Sequence, residues 1–252
     1  MSDIQIARDS GVLEIRFNRP AKKNAITNAM YGAMADALES GADDADSRAF
    51  LFTAEGDFFT AGNDLVDFAS QSSGAFEGPR HVGRFLQRMI EAGKPVVAAV
   101  QGNAVGVGVT MLLHCDLVYV AESAKLTTPF IDLGLVPENA SSLTLVERLG
   151  HARAFALLGL AEPLLGPDAA AFGLANAALP GAEVEPAPAP QRKRLRRSLR
   201  NRFVSPRTSC ATASASCCAC RKRANSSPNV SNHRKLPQLS LRSSADVRVL
   251  AA

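Results

Sequence analysis

Residues 96–108 read VVAAVQGNAVGVG, and DLVYV follows at residues 116–120. The opening six residues form a short apolar run of the kind that makes a strand buried on both faces. Gly102 opens a turn of small residues, and the chain then runs into a helix ending near His114. DLVYV is the next strand. Strand, turn, helix and strand in so short a span indicate an α/β domain of layered sheet and helices.

The alternation continues outward. Towards the N-terminus, residues 4–8 (IQIAR) and 12–17 (VLEIRF) alternate apolar and polar around Ser10-Gly11 and predict a β-hairpin. Thr27 is placed to cap a helix running to about Ser40, with Met30, Met34, Ala37 and Leu38 on one face. Residues 48–53 predict a buried strand, and residues 56–65 a Gly-rich turn leading into a short helix. Residues 78–92 predict a helix with Val82, Phe85, Leu86, Met89 and Ile90 at helical spacing, stopped by Lys94-Pro95. Towards the C-terminus, helices are expected over 141–149, 151–159 and 167–173, with a last strand at 175–179. No repeat of 20–50 residues is visible.

The 252 residues are 46% hydrophobic and 21% charged, which excludes a collagen-like or wholly disordered chain and leaves enough length for a core. No run of apolar residues is long enough for a transmembrane helix. The opening MSDIQIARDS lacks the layout of a secretory signal, so a cytoplasmic protein is expected. The formal net charge of +4 hides a break. Residues 1–186 hold 13 Lys and Arg against 23 Asp and Glu, and residues 187–252 hold 15 against the single acid Asp246. The later segment also holds four of the five cysteines, no glycine, and 11 Leu, Ile, Val or Phe among 66 residues, too few to hold a core. Residues 1–186 are therefore expected to form the folded domain and 187–252 an atypical basic Cys/Ser/Arg-rich tail. Three readings of the tail stand: a basic arm for nucleic acid or an acidic membrane, a disordered segment, or a shifted reading frame. Its spacing C-x6-C-C-x-C does not match zinc-knuckle spacing, and no metal is expected.

Chemistry is expected at three places. Ala61-Gly62-Asn63-Asp64-Leu65 and Gly102–Gly108 are both small-residue turns opening a helix, where backbone N–H groups point outward. Two such groups converging would make an oxyanion hole, and the plain reading is that the glycines serve close packing. Neither stretch is a phosphate-binding or dinucleotide-binding glycine loop. The third is TPFIDLGLVPENASS at 128–142, where Glu138 sits in an apolar setting. Burial would make it a proton shuttle, whereas a solvated glutamate beside a helix start is the plain alternative.

Taken in order, FNRPAKKNAI, FFTAGNDL, VQGNAVGVGV and CDLVYVAESAKLTTPFIDLGLVPENASS resemble the enoyl-CoA hydratase/isomerase (crotonase) superfamily over about residues 3–181. The resemblance implies the crotonase (ClpP-like) fold, repeated ββα units with sheets flanked by helices. It implies an acyl-CoA substrate, with coenzyme A as part of the substrate and no separate cofactor. The backbone N–H groups of Asn63 and Val107 would hold the thioester oxygen. Around them the resemblance implies substrate and CoA contacts at Lys22, Lys23, Ala25, Ala61, Gly62, Asp64, Leu65, Gly106 and Phe130. It also implies a homotrimer or hexamer, although the tail replaces the helices that usually build it.

Hydratases of this superfamily carry two glutamates; here Thr110 stands at one position and Phe130, after Pro129, at the other. Glu138 instead falls where Δ3,Δ2-enoyl-CoA isomerases carry a single base, and AGNDL and LGLVPENASS resemble theirs, with Asn139-Ala140 in place of a smaller pair. The implied activity is conversion of a 3-enoyl-CoA to a 2-enoyl-CoA through one glutamate. Another crotonase reaction such as hydration ranks second, and nucleic-acid binding through the basic tail last. Phe58, Phe59, Phe68, Phe130 and Leu133 are read as core residues that alternatively line an acyl tunnel.

Overall fold

The computed structural model describes residues 2–72 and 78–184. The expected boundary at residue 186 and the tail 187–252 lie outside the described residues. All described residues fall in one of two compact units, Met1–Cys210.

β1 (Ile4–Asp9) and β2 (Val12–Phe17) form the expected antiparallel hairpin. Its turn holds Ser10 at φ 54° and Gly11 at φ 83°, the handedness that matches strand twist. β1 is the edge of the sheet and buries only Ile4, while β2 buries Val12, Leu13, Ile15 and Phe17. A 3₁₀ turn at Pro20–Lys22 leads to α1 (Asn28–Asp43). The Thr27 hydroxyl accepts the Met30 N–H at 3.3 Å, a cap that typically contributes about 1 kcal/mol. Met30, Met34, Ala37 and Leu38 are buried, as their spacing predicts.

Beyond α1 the chain alternates between two sheets. β3 (Ala49–Ala54), β5 (Val96–Val100) and β7 (Leu117–Ala121) run parallel beside β2, and β10 (Ala177–Leu179) completes a six-stranded sheet of order β1-β2-β3-β5-β7-β10. After each of β3, β5 and β7 the chain crosses to a four-stranded sheet, β4 (Phe58–Thr60), β6 (Asn103–Val105), β8 (Lys125–Thr127) and β9 (Leu164–Leu165). The crossing at Gly102 is so close that a Cβ there would lie 1.9 Å from the Asp57 carbonyl oxygen. Helices α2 (Leu65–Ser72), α3 (His81–Ile90), α4 (Val107–Thr110), α5 (Ser141–Leu149), α6 (His151–Gly159), α7 (Gly166–Ala171) and α8 (Gly181–Val184) complete the described fold. Among the described residues no helix is long and apolar enough to cross a membrane.

An aromatic row runs through the main core. Phe59 meets Phe17 edge-on at 5.3 Å between ring centroids, Phe17 stacks on Phe52 at 6.4 Å, Phe52 meets Phe85 at 6.2 Å, and Phe85 meets Tyr31 at 5.5 Å. Each such pair adds about 0.5–1.5 kcal/mol beyond the area it buries. The helix expected over 78–92 is shorter, and Ile90, at its last position, is 48% exposed rather than on the buried face. The short strands β4 and β6 lie inside stretches whose glycines predict turns; three residues are too few to display a period of two.

Candidate active site

β4 and β6 are parallel neighbours, with Phe58 opposite Asn103 and Thr60 opposite Ala104, so the turns that follow them emerge side by side. Ile26 brackets the first turn. Its N–H donates to the Gly62 carbonyl at 2.8 Å, and its carbonyl accepts the Asp64 N–H at 2.9 Å. Between these two bonds the Asn63 N–H has no acceptor among the described residues. Gly62 is at φ 85°, and a Cβ on it would meet the Val105 carbonyl oxygen at 2.8 Å, so glycine lets the first turn lie against the second.

The second turn is built differently. Gly106, at φ 56° and ψ −115°, donates its N–H to Thr127 at 2.8 Å, and its carbonyl accepts from Val109 and Thr110 at 2.9 and 3.1 Å. The Val107 N–H is left without an acceptor among the described residues, although Val107 is only 2% exposed. An unpaired N–H in a buried residue is destabilising unless a ligand takes it up. Both expected oxyanion donors are therefore vacant at adjacent strand ends.

Glu138 enters from the loop before α5. The Thr110 hydroxyl, on α4, donates to Glu138 Oε1 at 2.8 Å. Burial holds the Glu138 carboxyl above the ordinary carboxylate range, and the Thr110 hydrogen bond pulls partly the other way. The backbone beneath it is a tight corner. Asn139 and Ala140 are both left-handed, at φ 59° and 54°, and the Glu138 carbonyl accepts from the Ser141 hydroxyl at 2.6 Å and the Ser141 N–H at 3.0 Å. Asn139 also donates to the Thr110 carbonyl at 3.3 Å, and its own carbonyl meets His114 Nε2 at 3.1 Å.

The other expected residues divide. Ala61, Gly62, Asp64 and Gly106 belong to the two turns. Asp64 pairs with Arg19 at 2.7 Å, and the Arg19 hydrogen bond holds its carboxyl below the usual range. Arg19 also donates to the Ala25 carbonyl at 2.9 Å. The Lys23 carbonyl accepts the Ala61 N–H at 2.9 Å, tying the 22–25 segment to the first turn. Lys22 and Lys23 are exposed beside it, with Lys23 Nζ 4.9 Å from the Phe58 ring centroid. Leu65 is exposed at 56% and Phe130 is buried at 4%. A cavity of about 110 Å³ opens beside Asn63, lined by Ile26, Tyr31, Phe68 and Val82 with Asp64, Asp67 and Arg80. Of the five residues considered for an acyl tunnel, Phe68 lines this cavity, Phe59 and Phe130 are core, Phe58 is half-buried and Leu133 is exposed.

Sequence reasoning missed three contributors. Buried Asn24 holds the 22–25 segment to β4 through bonds of 2.8 Å from its amide to the Glu55 and Phe58 carbonyls. Thr110 is tied to Glu138, and Tyr31 to Asn63, through long-range contacts invisible in local spacing. One signal was available for Tyr31: its polar tip sits on a face of α1 that is apolar apart from Asn28.

The chain matches the enoyl-CoA hydratase/isomerase family over residues 7–217. It is 39% identical over 186 residues to rat enoyl-CoA delta isomerase 2, covering 72% of this chain and 47% of that protein, and 36% identical over 180 residues to the human counterpart, covering 69% and 45%. The chain thus spans about half the length of these two relatives. It is 31% identical to the 2,3-dehydroadipyl-CoA hydratase of Escherichia coli K12, covering 71% and 70%. The solved structure of Pseudomonas aeruginosa OdaA superposes with a TM-score of 0.76 at 42% identity, covering 89% of each chain. That of an enoyl-CoA hydratase/isomerase from Pseudoalteromonas atlantica T6c gives 0.74 at 37%, covering 85% and 82%. With its alternating two-sheet fold and its paired turns, the chain belongs to the enoyl-CoA hydratase/isomerase family.

Proposed function

We propose that this chain isomerises a 3-enoyl-CoA to the conjugated 2-enoyl-CoA, using Glu138 as its only acid–base group. The observation that carries this reading is the Thr110–Glu138 hydrogen bond. Thr110 stands where a hydratase of the superfamily carries a water-activating carboxylate, and here a hydroxyl at that point steadies the remaining carboxylate instead.

Ionised Glu138 takes a proton from C2 of the substrate. The C2–H electrons move into the C2–C1 bond, and the thioester oxygen takes up the negative charge. The N–H groups of Asn63 and Val107 stabilise that oxygen. Protonated Glu138 then delivers the proton to C4, and the double bond settles between C2 and C3. The reaction is redox-neutral and needs no group beyond the substrate's own coenzyme A. Exposed Lys22 and Lys23 offer cations for its phosphates. Hydration is the second reading, favoured by the likeness to the Escherichia coli hydratase, and it requires a second group to activate water.

The test is turnover of a 3-enoyl-CoA, with water addition to a 2-enoyl-CoA measured in parallel. Glu138→Gln is expected to lose about 10³-fold in kcat, within the range that general acid–base groups contribute. Retention of most isomerase activity by that variant, or hydration without isomerisation by the unsubstituted chain, overturns the proposal.

A further inference from the structure

Asn63 has a side chain as well as a backbone N–H, and its amide is a hazard to an oxyanion hole. An asparagine oxygen seeks nearby N–H groups, and turned towards the site it would compete for donors and repel a developing negative charge. The structure removes that hazard. The Tyr31 hydroxyl donates to Asn63 Oδ1 at 2.6 Å. Tyr31 is 3% exposed and its ring is held against Phe85. Reversing the Asn63 amide would leave the phenol proton buried without an acceptor, so the bond fixes which end of the amide points where. Asn63 Nδ2 has no hydrogen-bond acceptor among the described residues, and Asn63 lines the cavity beside the first turn.

We infer that Tyr31 is a positioning residue of this site: it engages the Asn63 oxygen, so that Asn63 presents only N–H groups to the thioester. The inference rests on the reading of Asn63 as an oxyanion donor. It is supported by the state of the phenol. Burial first, and then the Glu138 and Asp67 carboxylates, push the Tyr31 hydroxyl well above the ordinary tyrosine range, so it stays a proton donor wherever Glu138 acts as a base. The row of packed rings behind it gives the hydroxyl a fixed origin.

The experiment is a double-mutant cycle of Tyr31→Phe and Asn63→Ala, read in two ways. The first reading is kcat and KM for the 3-enoyl-CoA. The second is the enolate absorption of bound acetoacetyl-CoA, which reports stabilisation of a thioester oxyanion without turnover. Tyr31→Phe is expected to lower kcat about 10- to 30-fold with KM within about 3-fold, and to remove most of the enolate band, since one displaced oxyanion donor loses about 10²–10³-fold. Asn63→Ala removes the hazardous oxygen, so the double variant should match Asn63→Ala alone. A purely structural Tyr31 would instead lower Tm and give losses that multiply with those of Asn63→Ala. Multiplying losses, or an enolate band in Tyr31→Phe within about two-fold of the unsubstituted chain, overturns the inference, because a two-fold change is under 0.5 kcal/mol. Should Tyr31→Phe fail to fold, Asn63→Asp, which puts an acceptor oxygen in place of Nδ2, should remove the enolate band, and an undiminished band in Asn63→Asp overturns the inference equally. If the unsubstituted chain polarises acetoacetyl-CoA but does not isomerise, the isomerase reading fails while the cycle still decides the role of Tyr31.

Discussion

The two turns supply the same kind of backbone donor by opposite means. At the first, the Asn63 N–H is framed by Ile26 on both sides, and its surroundings are steadied by polar side chains, Tyr31 on Asn63 and Arg19 on Asp64. At the second, the Val107 N–H is aimed by the backbone of Gly106, with no side chain holding it, while the polar side chain of that helix, Thr110, is spent on Glu138. The first donor is therefore adjustable through side chains. The second is fixed by a dihedral angle, and the polar side chain near it is tied to Glu138.

That contrast is broken most severely at Gly106. A Cβ there meets nothing within 4 Å, so Gly106→Ala acts through the backbone alone. An L-residue strains at φ 56° and ψ −115° by about 1–3 kcal/mol. Relief of that strain turns the Val107 N–H away, and kcat should fall about 10²–10³-fold. Equal activity in the variant would place the second donor elsewhere.

An intermediate effect is expected at the first turn. Arg19→Ala leaves Asp64 without its partner in a largely buried position, and stability should fall by about 1–3 kcal/mol by thermal or urea unfolding. Folding lowers the Asp64 pKa, so the pair's contribution is fully present above the unfolded carboxylate value and is lost as pH falls through the lower folded value. The gap in Tm between Arg19→Ala and the unsubstituted chain should be full at neutral pH and narrow in acid, where the Arg19 bond to the Ala25 carbonyl remains. A gap that persists unchanged in acid would assign the loss to the Arg19 bond to the Ala25 carbonyl and the packing of the arginine stem, not to Asp64.

The smallest effect sharpens the role of Thr110. In the proposed reaction Glu138 must be ionised to accept the C2 proton, so kcat should rise with pH along a limb above the ordinary carboxylate range. Thr110→Val keeps the volume and removes the donor that favours the ionised form. The limb should move to higher pH, while kcat on the plateau, where the carboxylate is ionised with or without the donor, falls less than about ten-fold, or about 1.4 kcal/mol. A limb that stays in place would show that Thr110 does not act on the base.

These differences also decide what was legible in the sequence. The long strands β2, β3, β5 and β7 were readable because five or six apolar or alternating residues define a strand unaided. The helix α1 was readable from Thr27 and the 3.6-residue spacing of Met30, Met34 and Leu38. The second sheet was not, because β4, β6 and β8 owe their form to pairing across the chain rather than to their own residues. At the site, Glu138, Asn63 and Val107 came from resemblance; spacing alone favoured close packing, and Gly62 and Gly102 do serve close packing as well. Tyr31 and Thr110 act on residues 32 and 28 positions away, a separation that no local pattern encodes.

The corner at Asn139–Ala140 bears on stereochemistry. With its carbonyl clamped by Ser141 and its carboxylate tied to Thr110, Glu138 would act from one fixed side in the proposed reaction. In the proposed reaction C2 and C4 must then present the same face in turn, so the pivot belongs to the acyl chain. The geometry of the product would accordingly be set by the walls against which that chain turns rather than by the base that moves the proton.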